Sequence, residues 1–269
     1  LIVKDITDEH LKMVKAPPHG YGRYMNPCID CHAMMVRMAG EIMRSEGFDV
    51  VATGEVLGER PMSQNLASLN IVERDAGMKG YLLRPLSAKL LEPTIPELDG
   101  RIDRTMLLAI EGRSRKPQFE LAKKYEIKSF EQPAGGCRLT DPEFSKRLED
   151  LFKFNPNANG EDVELLKLGR HFRLPTGAKV IVGRDEKDNM EIEKRRKNLC
   201  LIRPKTDPGP SCLLIGSHDE KDLDSAIEIC AAFSDLREEG IIIEIVHDSK
   251  QSTKQVKQVS RQNFEKLRI

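Results

Sequence analysis

The residues best suited to chemistry are cysteines. Asn26-Pro27-Cys28-Ile29-Asp30-Cys31-His32 places two thiols, two residues between them, on a turn entering a helix, where both can point at one ion. A third thiol, Cys137, follows Pro133-Ala134-Gly135-Gly136, whose glycine pair lets the backbone bend close to a neighbour. A Cys-x-x-Cys pair with one distant cysteine is the pattern of a metal or redox centre. Four readings compete. Zinc takes four ligands, and His32 or Asp30 could complete its set. A dithiol can relay persulfide or form a catalytic disulfide with Cys137, because sulfur transfer needs a nucleophilic thiolate. An iron–sulfur cluster takes cysteinate, usually four, so three would leave one iron open to hydrosulfide or substrate. The bland reading is three buried thiols without a role. The remaining cysteines, Cys200, Cys212 and Cys230, each lie in an apolar element and read as small core residues.

The elements that must position these thiols alternate between helix and strand. Leu1–Asp5 predicts an opening strand, and Ala16–Gly22 a loop rich in Pro and Gly. His32–Gly47 predicts a helix with Met35, Met38, Ala39, Ile42 and Met43 on its apolar face and Gly47 at its end. Phe48–Thr53 reads as a buried strand running into the Gly54 turn, followed by a Gln64–Ala76 helix capped by Ser63 and a short strand, Tyr81–Arg84. That alternation implies α/β with a mainly parallel sheet, with ligands at the carboxyl ends of the strands. Arg84 and Lys89 would stand beyond a strand end, suited to phosphate or simply to water. Arg113, Arg115 and Lys116 precede a helix with Pro117 at its first position, a pattern that fits RNA phosphate or a solvated loop. Phe119, Leu121, Ala122 and Tyr125 are expected to be buried on that helix, and Asp141-Pro142 to open another.

These motifs together resemble a known family over residues 1–150. Asn-Pro-Cys-x-x-Cys followed by Gly47-Phe48-Asp49-Val50-Val51-Ala52-Thr53-Gly54-Glu55 is similar to the 2-thiouridylases of tRNA. Thr53-Gly54-Glu55-x-Leu57-Gly58, then Ser63-Gln64 and Leu83-Arg84-Pro85-Leu86, resembles tRNA 4-thiouridine synthetase even more. Both belong to the PP-loop ATP pyrophosphatase superfamily. The resemblance implies a Rossmann-like PP-loop domain that binds ATP with magnesium and adenylates a tRNA uridine oxygen, after which sulfur displaces AMP. It also implies a 4Fe–4S cluster on Cys28, Cys31 and Cys137, these thiols doing the catalytic sulfur chemistry, with persulfide relay and zinc as alternatives. Thr53, Gly54, Glu55, Gln64, Arg84 and Lys89 would line the nucleotide site. The sulfur donor would be free sulfide or a cysteine desulfurase. The superfamily's Ser-Gly-Gly-x-Asp-Ser loop does not occur in these 269 residues. The expectation is therefore that the chain is a fragment and the loop lies upstream of Leu1, with a non-catalytic RNA-binding or persulfide-carrier module, or a zinc-stapled RNA adaptor, as the rival reading.

The second half predicts a separate small α/β domain. Asn155–Gly160 is a turn-forming linker, dividing the chain into domains at 1–152 and 161–269. Gly169–Leu174 and Lys179–Arg184 read as a hairpin, Glu186–Asn198 as a basic helix carrying Lys194-Arg195-Arg196-Lys197. Strands at Leu199–Arg203, Ser211–Gly216 and Ile241–Val246 surround a Glu220–Arg237 helix, and the polar segment from Asp248 is expected to be partly disordered. Val182-Gly183-Arg184, Asn189 and Pro208-Gly209-Pro210 resemble the RNA-binding domain of the NFACT family over residues 165–220, without its usual aromatic and His residues near the Pro-Gly loop. Carried over, Arg170, Arg184, Lys194 and Arg195 would touch RNA backbone, although charged helical faces are often only solvated.

Composition bounds the rest. Apolar residues make up 39% and charged residues 32%, with 43 cations against 43 anions, so a neutral total leaves room for a local basic face but not for a strongly basic chain. No apolar run approaches the ~20 residues of a membrane span. Sparse cysteines without an export signal fit reduced thiols in the cytoplasm.

Overall fold

In the computed structural model, residues 1–130, 136–216, 218–235, 240–248, 250–257 and 259–269 are described. The chain divides between Asp141 and Pro142 into two units. No helix among the described residues is long and apolar enough to cross a membrane.

The first unit is built on helices α1 (Thr7–Lys15), α2 (Cys28–Glu46), α3 (Leu66–Asp75), α4 (Ile95–Leu98) and α5 (Lys116–Lys124). Val36 and Met43 of α2 pack with Val72 and Ala76 of α3 and with Met78 and Leu82. The buried stripe of α2 holds Met34, Val36, Met38 and Met43, while Met35 remains 42% exposed. The apolar face is thus rotated by one position from the expected one. Gly47 ends the helix in the left-handed conformation at φ 74°, as its type predicts. Strands β1 (Val51–Ala52) and β2 (Leu82–Leu83) pair in parallel, Val51 with Leu82 and Ala52 with Leu83. The parallel pairing matches the sequence reading, but a wide parallel Rossmann-like sheet is not formed among the described residues.

Three local expectations change here. Residues 1–6 form no strand, and Leu1, Ile2 and Val3 are exposed; no neighbouring strand among the described residues supplies the ladder that an extended segment needs. Asn65, not Ser63, caps α3, its side chain accepting the Ser68 N–H at 2.9 Å, so the helix starts later. On α5 only Ala122 is buried. Phe119 and Tyr125 are exposed, Phe119 packing instead against Phe130 with centroids 5.8 Å apart.

The second unit comprises α6 (Pro142–Phe154), α7 (Gly160–Leu165), α8 (Glu186–Lys194) and α9 (Glu220–Ala232) with six strands. These are β3 (Arg170–Arg173), β4 (Lys179–Val182), β5 (Cys200–Pro204), β6 (Cys212–Ile215), β7 (Ile241–His247) and β8 (Lys250–Val256). They lie in the order β3-β4-β6-β5-β7-β8, each neighbouring pair antiparallel. The predicted hairpin forms, Arg170 opposite Val182 and Phe172 opposite Val180. Alternation puts Val180, Ile202, Cys212 and Leu214 against Ala226, Ile227 and Cys230 of α9, and Ile181, Leu201 and Leu213 against Leu165 and Ile192. Both faces of the sheet are covered, which explains the near-continuous apolar runs of β4 and β6. Cys200, Cys212 and Cys230 are buried in this core.

Helix α6 falls in this unit: Asp150 bonds Arg173 (Nε to Oδ1, 3.0 Å) and lies 3.3 Å from the Lys179 ammonium. The Asn155–Gly160 stretch accordingly connects α6 to α7, with Asn159 capping α7. Helix α8 ends at Lys194, and Lys197 has φ 44°, so Arg195–Lys197 lies beyond the helix. Among its described residues, the tail from Asp248 takes regular structure where partial disorder was expected. β8 pairs with β7 from Ile241–Val256 to His247–Lys250, and a 3-10 helix (Arg261–Leu267) buries Phe264 in the core. Widely spaced anchors, Val256, Val259, Phe264 and Leu267, pin an otherwise polar segment.

Candidate functional site

Helix α2 begins at Cys28, and the Cys31 N–H donates to the Pro27 carbonyl at 2.9 Å. Cys28 and Cys31, three residues apart in the first turn, share one side of the helix at its electropositive end. The buried Asn26 donates its side-chain amide to Cys28 Sγ at 3.0 Å. Burial, then the neighbouring Cys137 and Cys28 sulfurs, push the Cys31 thiol up to about 11. The distant Cys137 therefore lies within electrostatic reach of the helix pair. Its carbonyl accepts from Thr140 N at 2.9 Å and Thr140 Oγ1 at 2.6 Å, which fixes the turn that presents it. The Pro133–Gly135 part of its loop lies outside the described residues. Among the described residues, no three His, Cys, Asp or Glu side chains are arranged to hold a single metal ion.

The two candidate fourth ligands are engaged elsewhere. Asp30 accepts the His19 N–H at 3.1 Å and lies 2.7 Å from His19 Nδ1, while His19 Nε2 is 3.3 Å from Asp75. This bridge ties the Ala16–Gly22 loop to α2 and α3. His32 Nδ1 stands 2.7 Å from Glu55 Oε1, an orientation that turns Nε2 away from that carboxylate.

Glu55 is the hub of a buried network. Its Oε2 accepts from Arg84 Nε at 2.9 Å and from Thr53 Oγ1 at 3.1 Å. Burial pushes the Glu55 carboxyl up, but the bonds and charges of His32 and Arg84 outweigh it and hold the group below its ordinary value. Arg84, 3% exposed, also donates to the Leu69 carbonyl at 3.1 Å and lies 3.4 Å from Glu73. The expected nucleotide residues Thr53, Glu55 and Arg84 thus come together, yet their charges satisfy one another. Arg84 is a buried brace, not a free phosphate ligand. Gly54 is exposed beside them. Lys89 is exposed and donates to the Thr105 carbonyl at 2.8 Å.

Gln64 is buried with an unpartnered Oε1, and so are the Ser63 hydroxyl and Gln118 Oε1. Gln118 donates to Glu59 at 3.3 Å, and Arg115 lies 3.5 Å from the same carboxylate. Arg113 and Lys116 are exposed.

In the second unit, Arg184 grips Asp188 with two bonds, Nε at 2.6 Å and a terminal nitrogen at 3.2 Å. A Cβ on Gly183 would lie 2.0 Å from Asn189 Oδ1. That oxygen accepts the Ser211 N–H at 2.9 Å, and the Asn189 amide donates to the Gly209 carbonyl at 3.2 Å. The Gly183, Asn189 and Pro-Gly-Pro signature is therefore a clip holding α8 to the 208–210 loop. Arg170 stacks over Phe233, 5.2 Å from the ring centroid. Lys194 and Arg195 both lie near Glu191, at 3.9 and 3.2 Å, and Lys197 pairs with Glu161. Asn26 stood in the Asn-Pro-Cys motif, two residues before Cys28, without a role of its own. Sequence reasoning missed the tail arginines Arg261 and Arg268, because that segment was expected to be partly disordered.

Residues 169–268 match the family model described as the NFACT protein RNA binding domain. Residues 169–268 of the second unit are thus similar to an RNA-binding domain of this type, as the Val182–Pro210 motifs anticipated. The match does not extend into the first unit. No curated protein matches the chain. Among solved structures, the C-terminal part of the fibronectin/fibrinogen-binding protein from Streptococcus suis is similar at 11% identity. The alignment covers 99% of this chain and 100% of that one, with a TM-score of 0.34, too loose an overlap to carry an argument.

Proposed function

We propose that this chain serves tRNA uridine thiolation, the first unit handling sulfur at Cys28, Cys31 and Cys137 and the second holding the RNA. The observation that supports it is that Cys28 and Cys31 share the first turn of α2, with Cys137 near enough for its charge to bear on the Cys31 thiol. The donor types are those a 4Fe–4S cluster takes: three cysteines, with an amide donor on Cys28 of the kind that tunes cluster sulfur. Bound there, such a cluster would supply an iron without a protein ligand at which sulfide could be held.

The chain's own residues supply the frame. Glu55 holds His32 by its Nδ1, so that Nε2 is presented on the same helix turn as Cys31. Arg84 and Glu73 brace the Thr53–Gly54 turn from within, leaving the exposed Gly54 backbone for a nucleotide to approach. ATP with magnesium would need the absent PP-loop from elsewhere. Sulfide or a cysteine desulfurase is the donor in this scheme, and the cytoplasm its compartment.

The test is iron, zinc and acid-labile sulfide analysis of anaerobically purified chain beside Cys137→Ala, with visible spectra. The expected result is about four iron and four sulfide per chain, lost in the variant. About one zinc without sulfide would instead make the trio a staple in an RNA adaptor. Neither metal, with persulfide on Cys28 or Cys137 after exposure to the persulfide of a cysteine desulfurase, whose sulfane sulfur passes to the thiol as the desulfurase cysteine leaves as thiol, would make the chain a sulfur carrier.

A further inference from the structure

The second unit gathers four arginines from three distant stretches of chain. Arg170 stands on β3, Arg184 just past β4, and Arg261 and Arg268 in the tail. Phe233, at the end of α9, organises them: the Arg170 and Arg261 guanidiniums lie 5.2 and 4.9 Å from its ring centroid. Arg261 Nε also donates to the Ala232 carbonyl at 2.9 Å. Arg268 is set by a bridge to Phe172, reinforced by the Ile269 N–H donating to the His171 carbonyl at 3.0 Å. Arg184, Arg261 and Arg268 are exposed.

Among the described residues, the charges around these arginines do not balance. Asp188 faces Arg184, and Glu265 is 3.7 Å from Arg268. Burial, followed by the charges of Arg268, Arg261 and Arg184, weakens the hold of Arg170 on its proton. Like charges assembled this way are unfavourable in the free protein and are relieved when an anion settles among them. Lys194, Arg195 and Lys197 have Glu191 and Glu161 as partners, much as Arg184 and Arg268 have Asp188 and Glu265, so what sets the corner apart is Arg170 and Arg261 held on the Phe233 ring.

We propose that Arg170, Arg184, Arg261 and Arg268, arranged around Phe233, form the corner at which this unit grips RNA backbone phosphate. The proposal rests on the RNA-binding reading of the second unit and names the surface responsible. Two stacked guanidiniums are held in fixed planes, which suits bidentate contact with phosphate oxygens.

The experiment measures binding of an unmodified tRNA transcript to the full chain across a salt series. Arg268→Gln is the main variant, since among the described residues its guanidinium packs on no ring; Arg170→Gln and the double variant extend it. A Lys194→Gln/Lys197→Gln chain is the control. The double variant is expected to lose about tenfold in affinity near 0.1 M salt, with the log–log salt slope reduced by about 0.7–0.9 for each contact removed. Its thermal midpoint should not fall with Arg268→Gln alone, because repulsion is relieved. Unchanged affinity and slope in the arginine variants, with the loss carried by the control, would overturn the proposal while leaving the RNA reading intact. Absence of salt-dependent binding by the wild-type chain would sink the RNA reading itself. Inorganic tripolyphosphate competing as well as RNA, charge for charge, would make the corner a general anion site and overturn its assignment to RNA.

Discussion

Arg84 shows how a side chain's role depends on what surrounds it. A strand-end arginine is a reasonable phosphate ligand on paper, but this one is buried between Glu55, Glu73 and the Leu69 carbonyl. Removing it leaves the Glu55 carboxylate buried with His32 and Thr53 as its remaining partners. Arg84→Leu should therefore destabilise the first unit by about 3–5 kcal/mol, read as a lower urea midpoint, whether or not nucleotide is present. A shift confined to nucleotide affinity would restore the ligand reading. His171 gives a second residue-scale expectation. It is fully buried, its Nε2 is 2.7 Å from the Leu168 carbonyl, and its Nδ1 has no hydrogen-bond partner. Burial first, then the charges of Lys179 and Arg147, hold its pKa well below the ordinary value. The unfolded chain takes up the proton near pH 6.5 while the folded chain does not. Stability is complete above that pH and falls by about 1.4 kcal/mol per pH unit below it. Denaturant melts from pH 7.5 to 5 should show that slope, and His171→Asn should flatten it. The cysteine spacing was visible in the sequence because a helix turn brings neighbours three apart onto one side. Cys137 joined that pair as a third thiol through the family resemblance, while its approach to them depends on tertiary packing.

At the level of elements, the hairpin, the core strands and the α9 helix were readable because apolar periodicity and Gly or Pro punctuation are local signals. The α2 stripe was displaced because Met is apolar wherever it points, and only the positions of α1 and α3 decide which methionine faces water. Asn65 and Ser63 are equally good caps by type, and the loop path chose between them. The clip between Gly183 and Asn189 is likewise readable only as a motif until its geometry is seen. Gly183→Ala would drive a methyl into Asn189 Oδ1 and detach the Ser211 N–H. A loss of about 1–3 kcal/mol is expected in thermal or urea unfolding, with Asn189→Ala giving a similar loss and the double variant less than the sum. Additive losses would show that the two residues act separately.

For the whole molecule, the two units were foreseeable from length, while the place of α6 was not. Turn-forming residues at 155–160 resemble an interdomain linker, and only the Asp150 bonds to Arg173 and Lys179 reveal that the chain has already entered the second unit. The parallel sheet was over-read for a related reason. Helix–strand alternation predicts a parallel neighbour, and the two-residue β1–β2 ladder satisfies that rule without extending further.

The tail carries one more consequence. β8 covers the outer side of β7, and Arg268 bridges Phe172 on β3 at the opposite end of the strand order. Lys250 and Lys254 place charge along the outermost strand. The final twenty residues therefore screen both borders of the sheet from other copies of the chain. Ending the chain at Asp248 would bare the hydrogen-bonding groups of β7, whose Ile241, Ile243 and Ile245 lie in the core, and should produce concentration-dependent self-association in light scattering. A truncated chain that stays dispersed at the concentrations where the intact one does would assign solubility to some other part of the surface.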